Sequence, residues 1–221
     1  MTTLPETPLP NVVSRVEALV KHHMQQYDPS HDWAHVDRVR NVALGLGKTL
    51  PGADIVVIEL AALMHDLADA KYSQSTSLPD NVTRLLDEEP GLSRHQIDTI
   101  LRIVPAVSYS TEKKLRAAGA WGEWHDTCAE LHAVQDADRL DAIGAIGVMR
   151  CAAFSGAKNR VLLEREPNVA GVSCEGHFYD KLLKIKDLMK TDAGRQEAEQ
   201  RHATMVSFLD ALNQERNLWY K

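Results

Sequence analysis

Three clusters of histidine and aspartate in this chain have spacings that could bind a cation. His31, His35 and Arg38 stand at i, i+4 and i+7, which puts all three on one face of a helix. His65-Asp66 closes the most apolar segment, residues 55–67, in which Glu59 is the one charge before His65. Burying two titratable side chains there is unfavourable unless they are paired with each other or bound to a cation. Asp136, Asp138 and Asp141 fall in an otherwise apolar stretch that runs on to Ile146. Three buried carboxylates repel one another unless cations compensate. Arg139 is one candidate, with Asp141 or Asp136 as its expected partner, and a bound metal is a second.

His31-Asp32 and His125-Asp126 are also His-Asp dipeptides, but they sit among polar residues where an aspartate serves as a helix N-cap. Only the pair at 65 and 66 lacks such a role, apart from a plain His-Asp hydrogen bond at a helix end.

The elements that must position these residues read as helices. Val12, Val13, Val16, Leu19, Val20 and Met24 recur at helical spacing and stop at Asp28-Pro29. A second helix begins near residues 30–32 and carries Val36, Val39, Val42, Ala43 and Leu46 on one face. Residues 55–67, apolar nearly all round, predict a buried central helix. Further helices are expected over 78–89, with Pro79 in its first turn, and over 93–103, with a Ser93/Gln96 capping box. Residues 128–154 read as one buried helix and 160–176 as a loop long enough to cover a substrate. Two amphipathic helices, 177–190 and 192–217, would close the fold. No strand pattern stands out, so the expected architecture is an all-α helical bundle forming one domain over 1–221.

Composition narrows the function. With 44% hydrophobic and 25% charged residues the chain is globular in balance, and its net charge of −6 with no basic run disfavours a long nucleic-acid partner. A small phosphate compound remains compatible, because a few local cations suffice for it. The first ten residues have neither a basic segment nor an apolar core, and no stretch approaches a membrane span, so a cytoplasmic setting is expected. Cys128, Cys151 and Cys174 are odd in number, far apart and without a CxxC pair, which disfavours a disulfide framework and a cysteine-ligated zinc.

The order H…HD…D, with His35 in HDWAHVDRV, His65-Asp66 in LAALMHDLADAK and Asp138 in QDADRLDAIGAIG, resembles the HD-domain superfamily of metal-dependent phosphohydrolases. The likeness continues through HFYDKLLKIKDLM to the last helix. It is closest in kind to small stand-alone members described as nucleotide phosphohydrolases or pyrophosphohydrolases. The resemblance implies a metal-binding core over about 31–141, a helical extension over 142–221, and His35, His65, Asp66 and Asp138 as ligands of one divalent ion. Related sequences often carry a histidine before a Ser-aromatic-Ser stretch; here Val107 precedes Ser108-Tyr109-Ser110.

Two imidazoles and two carboxylates suit Mn, Fe, Co, Ni, Zn or Mg and leave positions open for water and a phosphate oxygen. Asp69, three and four residues past the pair, returns to the same helix face and is the expected general base, with an N-cap or an ion pair to Lys71 as its alternative. Lys71 and Arg38 are expected to hold phosphate oxygens, with His31 and Arg139 nearby. The expected activity is hydrolysis of a phosphate ester or anhydride, most naturally in a nucleotide. The rival is a metal- and nucleotide-binding sensor with little turnover, for which Val107 speaks.

Overall fold

A computed structural model describes residues 12–67, 80–165 and 173–219, and all regular structure among them is helical. Helix α1 (Val12–Met24) buries Val12, Val16, Val20 and Met24, the i, i+4 stripe expected of it. Helix α2 (Trp33–Gly47) starts where the Asp32 side chain accepts from His35 N. Helix α3 (Ile55–Met64) starts where Asp54 accepts from Val56 N and Val57 N. Each cap satisfies donors that the first turn leaves orphaned. Because α3 is apolar nearly all round, with Glu59 its one charge, most of it is enclosed: α1, α2, α5 (Arg94–Ile103) and α8 (Ala129–Asp141) all pack on it. The most extensive packing joins α2 to α8 and α2 to α3. The three segments bearing the cation-binding pattern are therefore the three that meet at the centre.

Helix α4 (Asp80–Asp87) covers α1, and α5 begins with the Ser93/Gln96 capping box. Two helices lie where hydrophobic periodicity predicts none, α6 (Tyr109–Ala117) and α7 (Glu123–Thr127). The one buried residue of α6 is Glu112. Its Oε1 accepts from Arg116 Nε at 2.8 Å and Lys190 Nζ at 2.7 Å, and its Oε2 accepts from Gln135 Nε2 at 3.3 Å and from Arg139. A polar anchor holds this helix to α8.

Residues 128–154 are two helices, not the one that the pattern predicts. The chain bends by 70° between α8 and α9 (Gly144–Ala157). Gly144 takes φ +75° at the break, a conformation that a side chain would strain. Residues 177–190 likewise do not form one helix. α10 (Cys174–Asp180) starts three residues earlier, so Gly176 is helical and not in the loop, and a 3-10 segment (Leu182–Leu188) follows. Its buried Leu182 and Ile185 stand three apart, the spacing that a 3-10 turn brings to one side. The long α11 (Asp192–Trp219) packs on α9, on the 3-10 segment and on α8. Among the described residues no single helix is long and apolar enough to cross a membrane.

Glu112 gives the fold an acid sensitivity. Burial pushes its carboxyl up, but the Lys190, Arg139 and Arg116 cations outweigh this and hold it at about 2 against an ordinary 4.5. A depressed carboxylate contributes its stability in full above its unfolded pKa and loses it as pH falls through the folded value. With solvent screening allowed for, about 1–2 kcal/mol is therefore expected to disappear between pH 4.5 and 2, and Glu112→Gln should remove that part of the acid transition in denaturant titrations.

Candidate metal centre and the adjoining cavity

His35 stands in the first turn of α2, 1% exposed, and its Nδ1 donates to Asp141 Oδ2 at 2.7 Å. His65, the C-cap of α3, donates from Nδ1 to Ala62 O at 2.7 Å. Each of these bonds places the ring proton on Nδ1 and leaves Nε2 as a bare lone pair. The two Nε2 atoms face each other at 3.2 Å. Two lone pairs do not hydrogen-bond, but two nitrogens each about 2.1 Å from one ion, at about 90–109°, stand about 3.0–3.4 Å apart.

Asp66 adds a carboxylate with Oδ2 3.3 Å from His35 Nε2 and Oδ1 3.3 Å from His65 Nε2. Asp138 Oδ1 lies 3.7 Å and 3.9 Å from the same two nitrogens. His35, His65 and Asp138 each offer a donor atom within 4.8 Å of the others. Asp66 Oδ2 is buried without a hydrogen-bond partner, the state expected of an oxygen that ligates a cation. The residues present thus fit a divalent ion, and the resemblance-based ligand set of His35, His65, Asp66 and Asp138 comes together in space.

The electrostatics point the same way. Burial pushes Asp66 up, yet the imidazoles of His65 and His35 beside it outweigh this and hold it well below the usual carboxylate range. Burial pushes His35 down, and Asp141 and Asp66 more than reverse this, leaving it raised. A pocket that lowers Asp66 and raises His35 is one that favours positive charge.

The three aspartates of α8 have three separate roles. Asp138, partly exposed, faces the imidazoles. Asp141 accepts from His35, from Arg38 Nε at 2.7 Å and Nη2 at 3.0 Å, and pairs with Arg150 Nη1 at 3.1 Å. Asp136 accepts from Lys190 N at 2.8 Å, Thr191 N at 2.7 Å and Thr191 Oγ1 at 2.8 Å, capping the entry to α11. Gly194 is required beside it, because a Cβ there would sit 2.4 Å from Asp136 Oδ2. Arg139 is not the partner of Asp136 or Asp141 that the sequence suggests. Its guanidinium is buried against Glu112 and donates to Leu188 O at 2.7 Å, so it is committed to the α6 anchor. Arg38 forms a two-pronged pair with Asp141, and its cation is spent on orienting that carboxylate.

The centre opens into two connected spaces. A cavity of about 80 Å³ is lined by His65, Asp66 and Asp138 together with Val107, Ser108 and Lys181. A larger cavity of about 450 Å³ shares His31, Tyr109, Ala142, Arg150 and Lys181 with it, and adds Phe154, Arg160 and His177. That volume is typical of a small-molecule site. Val107 lies in the wall of the smaller space, so the departure from the related sequences falls at the site itself. Arg150 and Lys181, which sequence reasoning missed, stand where both spaces meet. The signal that could have found Arg150 is weak: one cation in an apolar helix following the Asp cluster. His31 lines both cavities, and its ring edge meets Phe154 at 6.0 Å.

The dipeptides at 31–32 and 125–126 have other roles. Asp32 is an N-cap, as expected. Asp126 lies inside α7 and accepts from Trp121 Nε1 at 2.7 Å, so it is not a cap. Asp69, Lys71 and the middle of the 160–176 loop lie outside the described residues. Two substitutions separate these roles. Asp136→Ala is expected to destabilise by about 2–3 kcal/mol, since three donors lose their acceptor, and Asp126→Ala to change little. Both should retain full metal content by elemental analysis.

The HD domain family model matches residues 32–143. The chain is 35% identical over 203 residues to YpgQ of Bacillus subtilis, covering 91% of this chain and 92% of that one. The crystal structure of an HD-superfamily hydrolase from Bacillus thuringiensis superposes with a TM-score of 0.71 at 35% identity, covering 93% and 96% of the two chains. The structure of B. subtilis YpgQ in complex with ADP superposes with a TM-score of 0.67 at 30% identity, covering 92% and 97%. With its paired imidazoles, the adjacent aspartate and the distal aspartate gathered at the centre of such a fold, this chain belongs to the HD-domain family.

Proposed function

We propose that the chain is a divalent-metal-dependent phosphohydrolase whose substrate is a nucleotide. The observation that carries this reading is the pair of bare Nε2 atoms 3.2 Å apart beside Asp66 and Asp138, opening into a ligand-sized cavity with cations at the junction. An ion held by His35, His65, Asp66 and Asp138 supplies Lewis acidity, polarising the phosphoryl group and making water more acidic. Asp141 keeps His35 in the tautomer that binds. Lys181, which lines both spaces, is the side chain placed to meet phosphate oxygens, with Lys71 a further candidate; Arg150 also lines both spaces but, like Arg38, pairs with Asp141, and it donates to Ser30 O as well. Phe154, Tyr109 and His31 offer ring faces and edges to a base. Asp69 accepts a proton from the attacking water. The ADP held by YpgQ supports a nucleotide over other phosphate compounds.

The test is a phosphate-release screen of nucleoside mono-, di- and triphosphates across Mn, Co, Ni, Mg and Zn, with pyrophosphate detected separately. Metal-dependent release from nucleotides is the expected result, and its form separates a pyrophosphohydrolase from a phosphomonoesterase. Val107 in the site wall favours a second reading, a metal- and nucleotide-binding sensor. Tight nucleotide binding without release over hours would select it.

A further inference from the structure

Cys151 on α9 and Cys174 at the start of α10 are 23 positions apart, yet the fold brings their sulfurs to 3.5 Å. Cys151 also directs its S–H at Cys174 O, 3.7 Å away. Each residue is 8% exposed, and Cys151 lines the 450 Å³ cavity, which gives a small solute a route to the pair. The third cysteine is set apart: Cys128 precedes α8, its nearest polar partner is Glu130 Oε2 at 3.5 Å, and burial pushes its thiol up to about 11.

A disulfide has its sulfurs about 2.05 Å apart, so the pair needs to close by only about 1.5 Å along a direction already set by the contact. We propose that Cys151 and Cys174 form a thiol/disulfide modification site that a peroxide entering through the cavity oxidises. Either sulfur of the contacting pair can attack first and the product is the same; in one order Cys174 leads, its thiol lowered against burial by the contact with Cys151. Its thiolate attacks one peroxide oxygen, the O–O bond breaks, and the departing hydroxide takes up a proton as water. Cys174 is then a sulfenic acid. The Cys151 sulfur gives up its proton and attacks the Cys174 sulfur, the S–O bond breaks, and the second oxygen leaves as water. Two thiols and one peroxide thus yield one disulfide and two waters, the sulfurs losing the two electrons that the peroxide gains. The new bond ties together two walls of the cavity, the one bearing Arg150 and Phe154 and the one bearing His177 and Lys181.

The experiment exposes the full chain to hydrogen peroxide, quenches by unfolding in an alkylating agent, and reads intact mass and linked peptides. A loss of about 2 Da reversed by dithiothreitol is expected, with a linked peptide joining Cys151 to Cys174 and Cys128 alone alkylated. The folded chain should crosslink at least about 10-fold faster than the urea-unfolded chain, because the fold holds the sulfurs together. Oxidised protein should melt roughly 5–10 °C higher. Cys128→Ser should leave the crosslink intact and Cys174→Ser should abolish it; the peptide map of the unsubstituted chain decides the matter if either variant fails to fold. A link that includes Cys128, sulfinic acid at Cys174 in place of the link, or crosslinking no faster than in the unfolded chain would overturn the proposal.

Discussion

Asp138→Ala is expected to remove the bound metal and to lower phosphate release by about 1000-fold or more while leaving the fold nearly as stable as before. The size follows from the role: a divalent ion contributes several kcal/mol of charge stabilisation to phosphoryl transfer, and each 1.4 kcal/mol is a factor of ten. The selectivity follows from the surroundings. Asp138 is partly exposed and has the two Nε2 atoms as its near partners at 3.7 and 3.9 Å, so its removal strands no donor in the core. His65→Ala should lose metal equally but also melt lower, because a side chain buried at the end of the central helix is deleted. Metal retained at full stoichiometry in both variants would mean that the ion lies elsewhere.

Asp141→Asn is expected to act at a distance from the ion. Among the described residues Asp141 is the one carboxylate that meets His35, Arg38 and Arg150 together. An asparagine keeps one acceptor oxygen but turns an NH2 group toward donors, leaving the largely buried Arg150 and the part-exposed Arg38 under-compensated. A loss of about 3–5 kcal/mol is expected from breaking such a network. Metal affinity should fall by about 10- to 100-fold, because His35 is no longer held with its proton on Nδ1. Denaturant midpoints at constant slope measure the first effect, and competition with a metal-binding dye measures the second. Burial pushes the Asp141 carboxyl up, but His35 and Arg38 hold it well below the usual carboxylate range. Its contribution is therefore complete at neutral pH and is lost progressively as pH falls from the ordinary carboxylate range toward that depressed value. Lost stability with unchanged metal affinity would reduce Asp141 to a structural ion pair.

The site was legible to the extent that it departs from what an apolar helix tolerates. His65-Asp66 stands at the end of a segment whose one earlier charge is Glu59, and α3 there is buried as that pattern predicts. The carboxylates of α8 were legible on the same ground, whereas His31 does not share a helix face with His35 and Arg38 as the spacing suggests, because α2 begins at Trp33 and His31 precedes its cap. Which aspartate does what was not, because partners distant in sequence decide it. Asp136 is claimed by Lys190 and Thr191, 54 and 55 positions on, and Asp141 by Arg38, 103 positions back. Arg139 was assigned by proximity to a neighbouring aspartate, whereas Glu112, 27 positions away, holds it. Helix α6 escaped notice because its anchor is that same glutamate, and hydrophobic periodicity cannot register a polar anchor. The bend between α8 and α9 hides in a run of small and apolar residues, where Gly144 reads equally as close packing and as a break. Cys151 and Cys174 look unrelated along the chain because they belong to different helices, α9 and α10, 23 positions apart.

The central claim is that four side chains from α2, from the end of α3 and from α8 hold one divalent ion. Crystals grown with Mn(II) and measured at a wavelength where manganese scatters anomalously test it most directly. The account predicts one strong peak about 2.0–2.3 Å from His35 Nε2, His65 Nε2 and oxygens of Asp66 and Asp138. No peak there, or a dominant peak bound by other residues while both Nε2 atoms remain bare, would contradict it.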